Sequence, residues 1–148
     1  MSWKLLEEAN PELAAFGARR LTARPAYLAT VRKDGVPRVH PVTPIIGAGR
    51  LFLFMEPTSP KGNDLRRGSH FALHAAVEDN EGGAGEFFVT GTGRFLPDPA
   101  DRAVATAQSQ YAPADRYILF ELLVDFAMSN VYQADGPPLR LRWRREEP

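Results

Sequence analysis

The sequence predicts a mainly β (α+β) fold, a small antiparallel β-barrel with peripheral short helices. Three observations lead there. Roughly six or seven β-prone runs follow one another, most of them joined by short turns rich in Gly, Asp and Pro. About three short helical stretches interrupt them. No repeat, low-complexity tract or linker divides the 148 residues, a length that suits one domain.

Ser2 to Arg20 carries Leu5, Leu6, Ala9, Leu13 and Phe16 at spacings of three and four, opposite Lys4, Glu7, Glu8, Glu12 and Arg19, which predicts helix. Pro11 interrupts the ladder, so one broken helix and two short ones fit equally well. At Tyr27 the period changes. Tyr27 to Val31, the turn Lys33-Asp34-Gly35, and Val36 to Val42 read as a hairpin. Ile45-Ile46, the turn Gly47-Ala48-Gly49, and Leu51 to Met55 read as a second; the last run is apolar at every position, as in a strand covered on both faces. Ser59 and Pro60 open a short helix reaching Arg67, with Ser at the N-cap and Pro at the first helical position, and Gly68 ends it. Phe71 to Val77 is a strand, Glu78 to Gly85 a polar loop, and Glu86 to Leu96 a longer strand. After Pro97-Asp98-Pro99 comes a helix over Ala100 to Ser109. Tyr117 to Phe126 is a long apolar strand that Ser129 to Tyr132 continues past a kink, and Leu139 to Trp143 closes the chain with strict alternation.

Charge and composition narrow the function. Eighteen basic residues balance eighteen acidic ones, against the basic surplus usual in nucleic-acid binders. Cysteine is absent, which removes disulfides, thiolate metal sites and a Cys nucleophile. No apolar run approaches the ~18–20 residues that span a bilayer, and the acids in MSWKLLEEANPELAAF break what would be the apolar core of a secretory signal. A soluble, cytoplasmic protein is expected.

Three places carry candidate chemistry. In Gly35 to Val42, alternation puts Arg38, His40 and Val42 on one face and Val39 and Pro41 on the other; the flanking prolines, which cannot donate to a ladder, place this strand at an edge or rim. An edge whose polar face simply meets water is an equal reading. In Thr58 to Leu65, free helix-start N–H groups and Lys61 form a natural anion site, with Gly62 leaving room for a ligand near the backbone; an ordinary capped helix with a solvated lysine is the plainer alternative. The tail Arg140 to Arg145 has four arginines and Trp143, fit to clamp an anionic or planar ligand or a partner subunit, or to remain a solvated terminus. His70 and His74 stand about 13 Å apart along a strand, too far to share a metal, so none is expected. Gly91-Thr92-Gly93 is too short for a dinucleotide fingerprint.

Taken in order, these pieces resemble the pyridoxamine 5′-phosphate oxidase-like FMN-binding split-barrel family. The resemblance rests on Tyr27 to Val31 with Asp34-Gly35, Pro37 to Val42, Leu51 to Met55, Ser59 to Arg67, and Gly85 to Gly91. It is good from Ala23 to Phe95 and holds elsewhere only in pattern. It implies that residues 1–148 form one FMN-binding split-barrel domain, working as a homodimer with flavin at the subunit interface. It further implies that Arg38, Ser59 and Lys61 meet the flavin phosphate and that His40, Pro41, Val42 and Thr43 line the isoalloxazine, largely through backbone groups; Val39, Met55 and Trp143 complete the expected cofactor set. No catalytic side chain is assigned, because the redox chemistry belongs to the flavin. Pro60 stands where the oxidases proper carry Arg between that Ser and Lys, and Arg140-Leu141-Arg142 only faintly echoes their C-terminal Arg-Leu-His-like element, so vitamin oxidation does not carry over. An FMN oxidoreductase of unnamed substrate is the leading expectation. A reductase using the 8-hydroxy-5-deazaflavin coenzyme, a non-catalytic flavin carrier or sensor, and a haem-handling protein are the alternatives. Arg66 and Arg67 are expected to face away from Lys61, which favours FMN over the longer, more acidic deazaflavin. The apolar Leu51 to Met55 and Tyr117 to Phe126 strands are taken as surface that a dimer would hide.

Overall fold

Asn10 and Pro11 split the N-terminal helical stretch. The Asn10 Oδ1 accepts the Leu13 N–H at 3.1 Å and Pro11 takes the first helical position, giving α1 (Ser2–Ala9) and α2 (Pro11–Ala23). This computed structural model describes residues 1–147. The remaining elements are β1 (Ala26–Val31), β2 (Pro37–Val42), β3 (Ile45–Gly47), β4 (Arg50–Met55), α3 (Pro60–Arg66), β5 (His70–His74), β6 (Glu86–Phe95), α4 (Pro99–Gln108), β7 (Ile118–Val131) and β8 (Leu139–Arg144). The count of about three helices falls short by one, because Pro11 starts a new one, and the eight strands exceed the six or seven expected, although the sequence reads the short β3 as the first arm of the second hairpin.

All strands pair antiparallel in one curled sheet, a split barrel, in the order β2-β1-β5-β6-β7-β4-β3, with β8 also on β7. β1 and β2 meet through a turn whose Gly35 has φ +87°, a conformation that suits glycine. β5 stops at His74, three residues before the expected end. Beyond it the Ala76 carbonyl accepts Arg20 Nη2 at 2.6 Å instead of joining the ladder. β7 runs unbroken past the expected kink; the irregularity is a bulge that leaves Asp125 out of register opposite Thr90 and Gly91. A Cβ at Gly91 would collide with the Leu123 carbonyl oxygen, so the glycine permits the bulge.

β4 explains its own composition. Leu51, Leu53 and Met55 enter the main core beneath α1 and α2, whereas Phe52 and Phe54 enter a second cluster with Ala105 of α4 and Leu119. In the main core the Phe87 ring lies edge-on to both Trp3 and Phe16, each at a centroid distance of 6.3 Å, and is roofed by Gly17. These strands are therefore buried within one protomer, with Leu51 to Met55 at most 6% exposed. β4 thus offers a dimer no apolar surface among the described residues, whereas Ile118, Leu123 and Phe126 of β7 stay half-buried. Four of the exposed apolar side chains lie on the β1–β2 hairpin, Tyr27, Val31 and Val39 on its outer face and Val36 at its turn; Leu5, Val77, Tyr132 and Leu139 are exposed elsewhere.

β6 covers one edge of β7, and β4 and β8 lie end to end along the other. In the gap between them the Val124 N–H donates to Ser2 Oγ at 2.7 Å, so α1 supplies the partner that a strand would have supplied. Among the described residues no helix is long and apolar enough to cross a membrane.

Candidate functional site

β2 is an edge strand, paired only with β1, as its prolines require. Arg38 and His40 are half-buried and Val42 is buried on the inner face; Val39, 65% exposed, and Pro41 point outward. Thr43 follows at the strand end, exposed.

α3 packs beside that inner face. Ser59 holds the N-cap position, but its side chain caps nothing: Ser59 Oγ accepts from Lys61 Nζ at 2.8 Å. Lys61 is half-buried, and among the described residues its ammonium pairs with no carboxylate. Burial pushes the Lys61 ammonium below the ordinary lysine range.

Asp64, 2% exposed, organises the cations around it. Its Oδ2 accepts Thr30 Oγ1 at 2.8 Å and Arg38 Nε at 3.0 Å, and its Oδ1 accepts Arg67 Nη2 at 3.1 Å. Burial alone would raise the carboxyl, but the three hydrogen bonds and the Arg38 charge outweigh it and hold Asp64 below its usual range. Because Asp64 engages Arg38 through Nε, both terminal nitrogens of that guanidinium remain available as a donor fork.

His40 lies within reach of the same charges. Burial first, then Lys61 and Arg38, pushes its imidazole below the ordinary 6.5, against an upward pull from Asp64. Its buried Nε2 has no hydrogen-bond partner among the described residues. A polar ligand atom at this edge would relieve that cost.

The structure thus brings Arg38, His40, Ser59 and Lys61 together around α3 and β2. It places others elsewhere. Met55 is 4% exposed with Sδ against α3, so its side chain faces the core, not an external ligand. Gly62 faces the same way: a Cβ there would stand 2.9 Å from Met55 Sδ, so the glycine serves close packing of α3 on the core and not ligand approach. The tail is ordered as β8, and Trp143 packs against the main core beside Leu5 and Ala9 of its own protomer. Arg66 faces away, its guanidinium 3.8 Å from the Phe95 ring centroid. Arg67 turns toward Arg38 through their shared Asp64: with Arg32, Lys33 and Arg38 it lines an open groove floored by Asp64, and it also donates to the Val31 carbonyl at 2.8 Å. The sequence singles out neither Asp64 nor Thr30, and it assigns Arg67 no part at the site. The i,i+3 spacing of Asp64 and Arg67 was the available signal. Among the described residues no group of three metal-ligating side chains forms.

A family model described as pyridoxamine 5′-phosphate oxidase matches residues 10–133. No curated protein sequence matches the chain. Among solved structures, the fold is similar to a heme binding protein from Mycobacterium smegmatis, at 17% identity and a TM-score of 0.61 over 88% of this chain and 57% of that one. The chain therefore spans little more than half the length of that relative. It is also similar to PhzG from Burkholderia lata, solved with tetrahydrophenazine-1-carboxylic acid, at 16% identity and a TM-score of 0.64 over 96% and 85% of the two chains. A protein related to general stress protein 26, of the pyridoxinephosphate oxidase family from Clostridium acetobutylicum, gives 15% identity and a TM-score of 0.60 over 97% and 96%. At these identities the three structures speak for the fold.

Proposed function

The chain belongs to the pyridoxamine 5′-phosphate oxidase family, and from that membership we propose that it is an FMN-binding oxidoreductase, its residues 1–148 acting as one domain of a homodimer. One observation carries the reading. Lys61 is a half-buried ammonium without a carboxylate partner among the described residues, near an Arg38 whose terminal nitrogens Asp64 leaves free. Cations held this way suit a phosphate monoester. Arg38, Lys61 and Ser59 would hold that phosphate, and the edge strand from Val39 to Thr43 would border the ring through its backbone. Hydride chemistry is what FMN supplies when bound. The side chains of this chain bind and orient, and no acid or base is assigned among them. The outer face of the β1–β2 hairpin, with Val39 and Tyr27, is the surface assigned to the second subunit. The choice of FMN rests on family membership and not on a shortage of cations, since Arg67 also stands in the groove.

Titration with FMN and riboflavin tests the phosphate assignment. Lys61→Ala and Arg38→Ala should each weaken FMN by about 1.5–3 kcal/mol, the worth of a charge-assisted contact, and leave riboflavin nearly unchanged. Equal losses for both flavins would remove these residues from the phosphate site. An absorption spectrum of the purified protein separates cofactor classes: flavin bands are expected, and a Soret band would overturn the reading.

A further inference from the structure

A cavity of about 230 Å³ opens at the far end of β2, between α2, the stretch after Val42, and the C-terminal end of α4. Pro44 and Ile45 are part of its apolar wall; Arg19, Gln108, Gln110 and Tyr111 share the lining. Among the described residues the lining contains no carboxylate and no histidine, and Arg19 is its only full charge. Arg19 pairs with no carboxylate among the described residues. Burial, with a smaller push from Tyr117, raises the Tyr111 phenol, which stays a hydrogen-bond donor across the neutral range. A Cβ at Gly47 would overlap the Gln108 amide, so the missing side chain is what lets Gln108 occupy its place at the wall.

These features select a ligand. One guanidinium backed by amide and hydroxyl donors matches a single negative charge, whereas a phosphate monoester brings a charge of about −1.5 to −2. The cavity is smaller than the ~300–1,000 Å³ typical of drug-sized ligands, which limits the occupant to a body of one ring or two. We propose that this cavity is the substrate pocket and takes small organic monocarboxylates, the carboxylate on Arg19 and the apolar body against Pro44 and Ile45. Its role in the reaction rests on the flavin reading, because Thr43 joins the cavity to the strand assigned to the flavin ring; the carboxylate binding itself does not.

Calorimetric titration of the purified protein with benzoate, benzamide and inorganic phosphate provides the test. Benzoate should bind and benzamide should bind at least about fivefold more weakly, the equivalent of about 1 kcal/mol for one ion pair at a pocket mouth. Inorganic phosphate should not displace benzoate. Arg19→Gln, an exposed change to another good helix former, should weaken benzoate by about the same factor and leave benzamide and FMN affinities unchanged. Equal affinity for benzoate and benzamide, benzoate binding indifferent to Arg19→Gln, displacement by phosphate, or no benzoate binding would each overturn the proposal. Arg19-dependent benzoate binding in a protein that takes up no flavin would leave the carboxylate site standing and remove the flavin reading alone.

Discussion

Asp64 would touch no ligand, yet it fixes the direction of two arginines, so its replacement should be felt at a distance. Asp64→Asn keeps the volume and removes the charge. It should weaken FMN, because Arg38 would lose the partner that aims its fork, and should lower stability by about 1–3 kcal/mol. That range is kept modest because the Arg38 and Arg67 side chains, 26% and 38% exposed, can turn to water. The pH dependence follows from two depressed groups. Asp64 titrates lower in the fold than in the unfolded chain, so its stabilisation is present above the ordinary carboxylate range and is lost as pH falls through its folded value. His40 is also lowered, so the unfolded chain takes up its proton first and stability declines from about pH 6.5 downward. Thermal melts across pH should show both losses in the native protein and only the His40 part in Asp64→Asn; an unchanged acid limb would contradict this account. Residues at this scale were only partly legible in the sequence. Arg38 and Lys61 stood out by type and position. Arg67 did not, because at about 100° per residue a position six beyond Lys61 points well away from it, while three beyond Asp64 it shares that carboxylate's face. Asp64 itself escaped because its partners Arg38 and Thr30 lie 26 and 34 residues away in the chain.

Elements were easier to read than contacts between them, since periodicity is local and helix-to-sheet approach is not. Gly17 illustrates the difference. In the sequence it is a flaw in a helix, costing about 1 kcal/mol relative to Ala. In the fold it is where α2 meets the Phe87 ring, and a Cβ there would overlap that ring. Gly17→Ala should therefore destabilise by about 1–3 kcal/mol net, overpacking outweighing the gain in propensity, and denaturant unfolding would detect it. A more stable variant would show that α2 can shift freely. Gly62 was legible as a special position for a related reason, but its direction was not, because the phase of a seven-residue helix against its sheet depends on Met55, Ile118 and Phe120. The all-apolar β4 was read correctly as covered on both faces; that one protomer supplies both covers could not be seen without the second cluster around α4.

For the whole molecule, the exposed apolar face of the β1–β2 hairpin sets the expected assembly. In a two-fold dimer each substitution on this face enters the interface twice. Val39→Asp should thus shift sedimentation at micromolar concentration from dimer to monomer, with FMN affinity falling in parallel; a native protein that sediments as a monomer with flavin bound would remove both the dimer and the shared site. The sheet order was foreseeable only in part, since hairpins are written in neighbouring residues whereas the pairing of β4 with β7 is not. The gap along the β7 edge has a consequence in time. Backbone amides locked into strand pairs exchange with deuterium when the sheet opens, but the Val124 amide is held by a hydroxyl from α1. Its exchange rate should report how often that helix lifts from the barrel. Ser2→Ala should accelerate exchange at Val124 while leaving Phe120 and Met128, on the same strand, at the pace of the sheet.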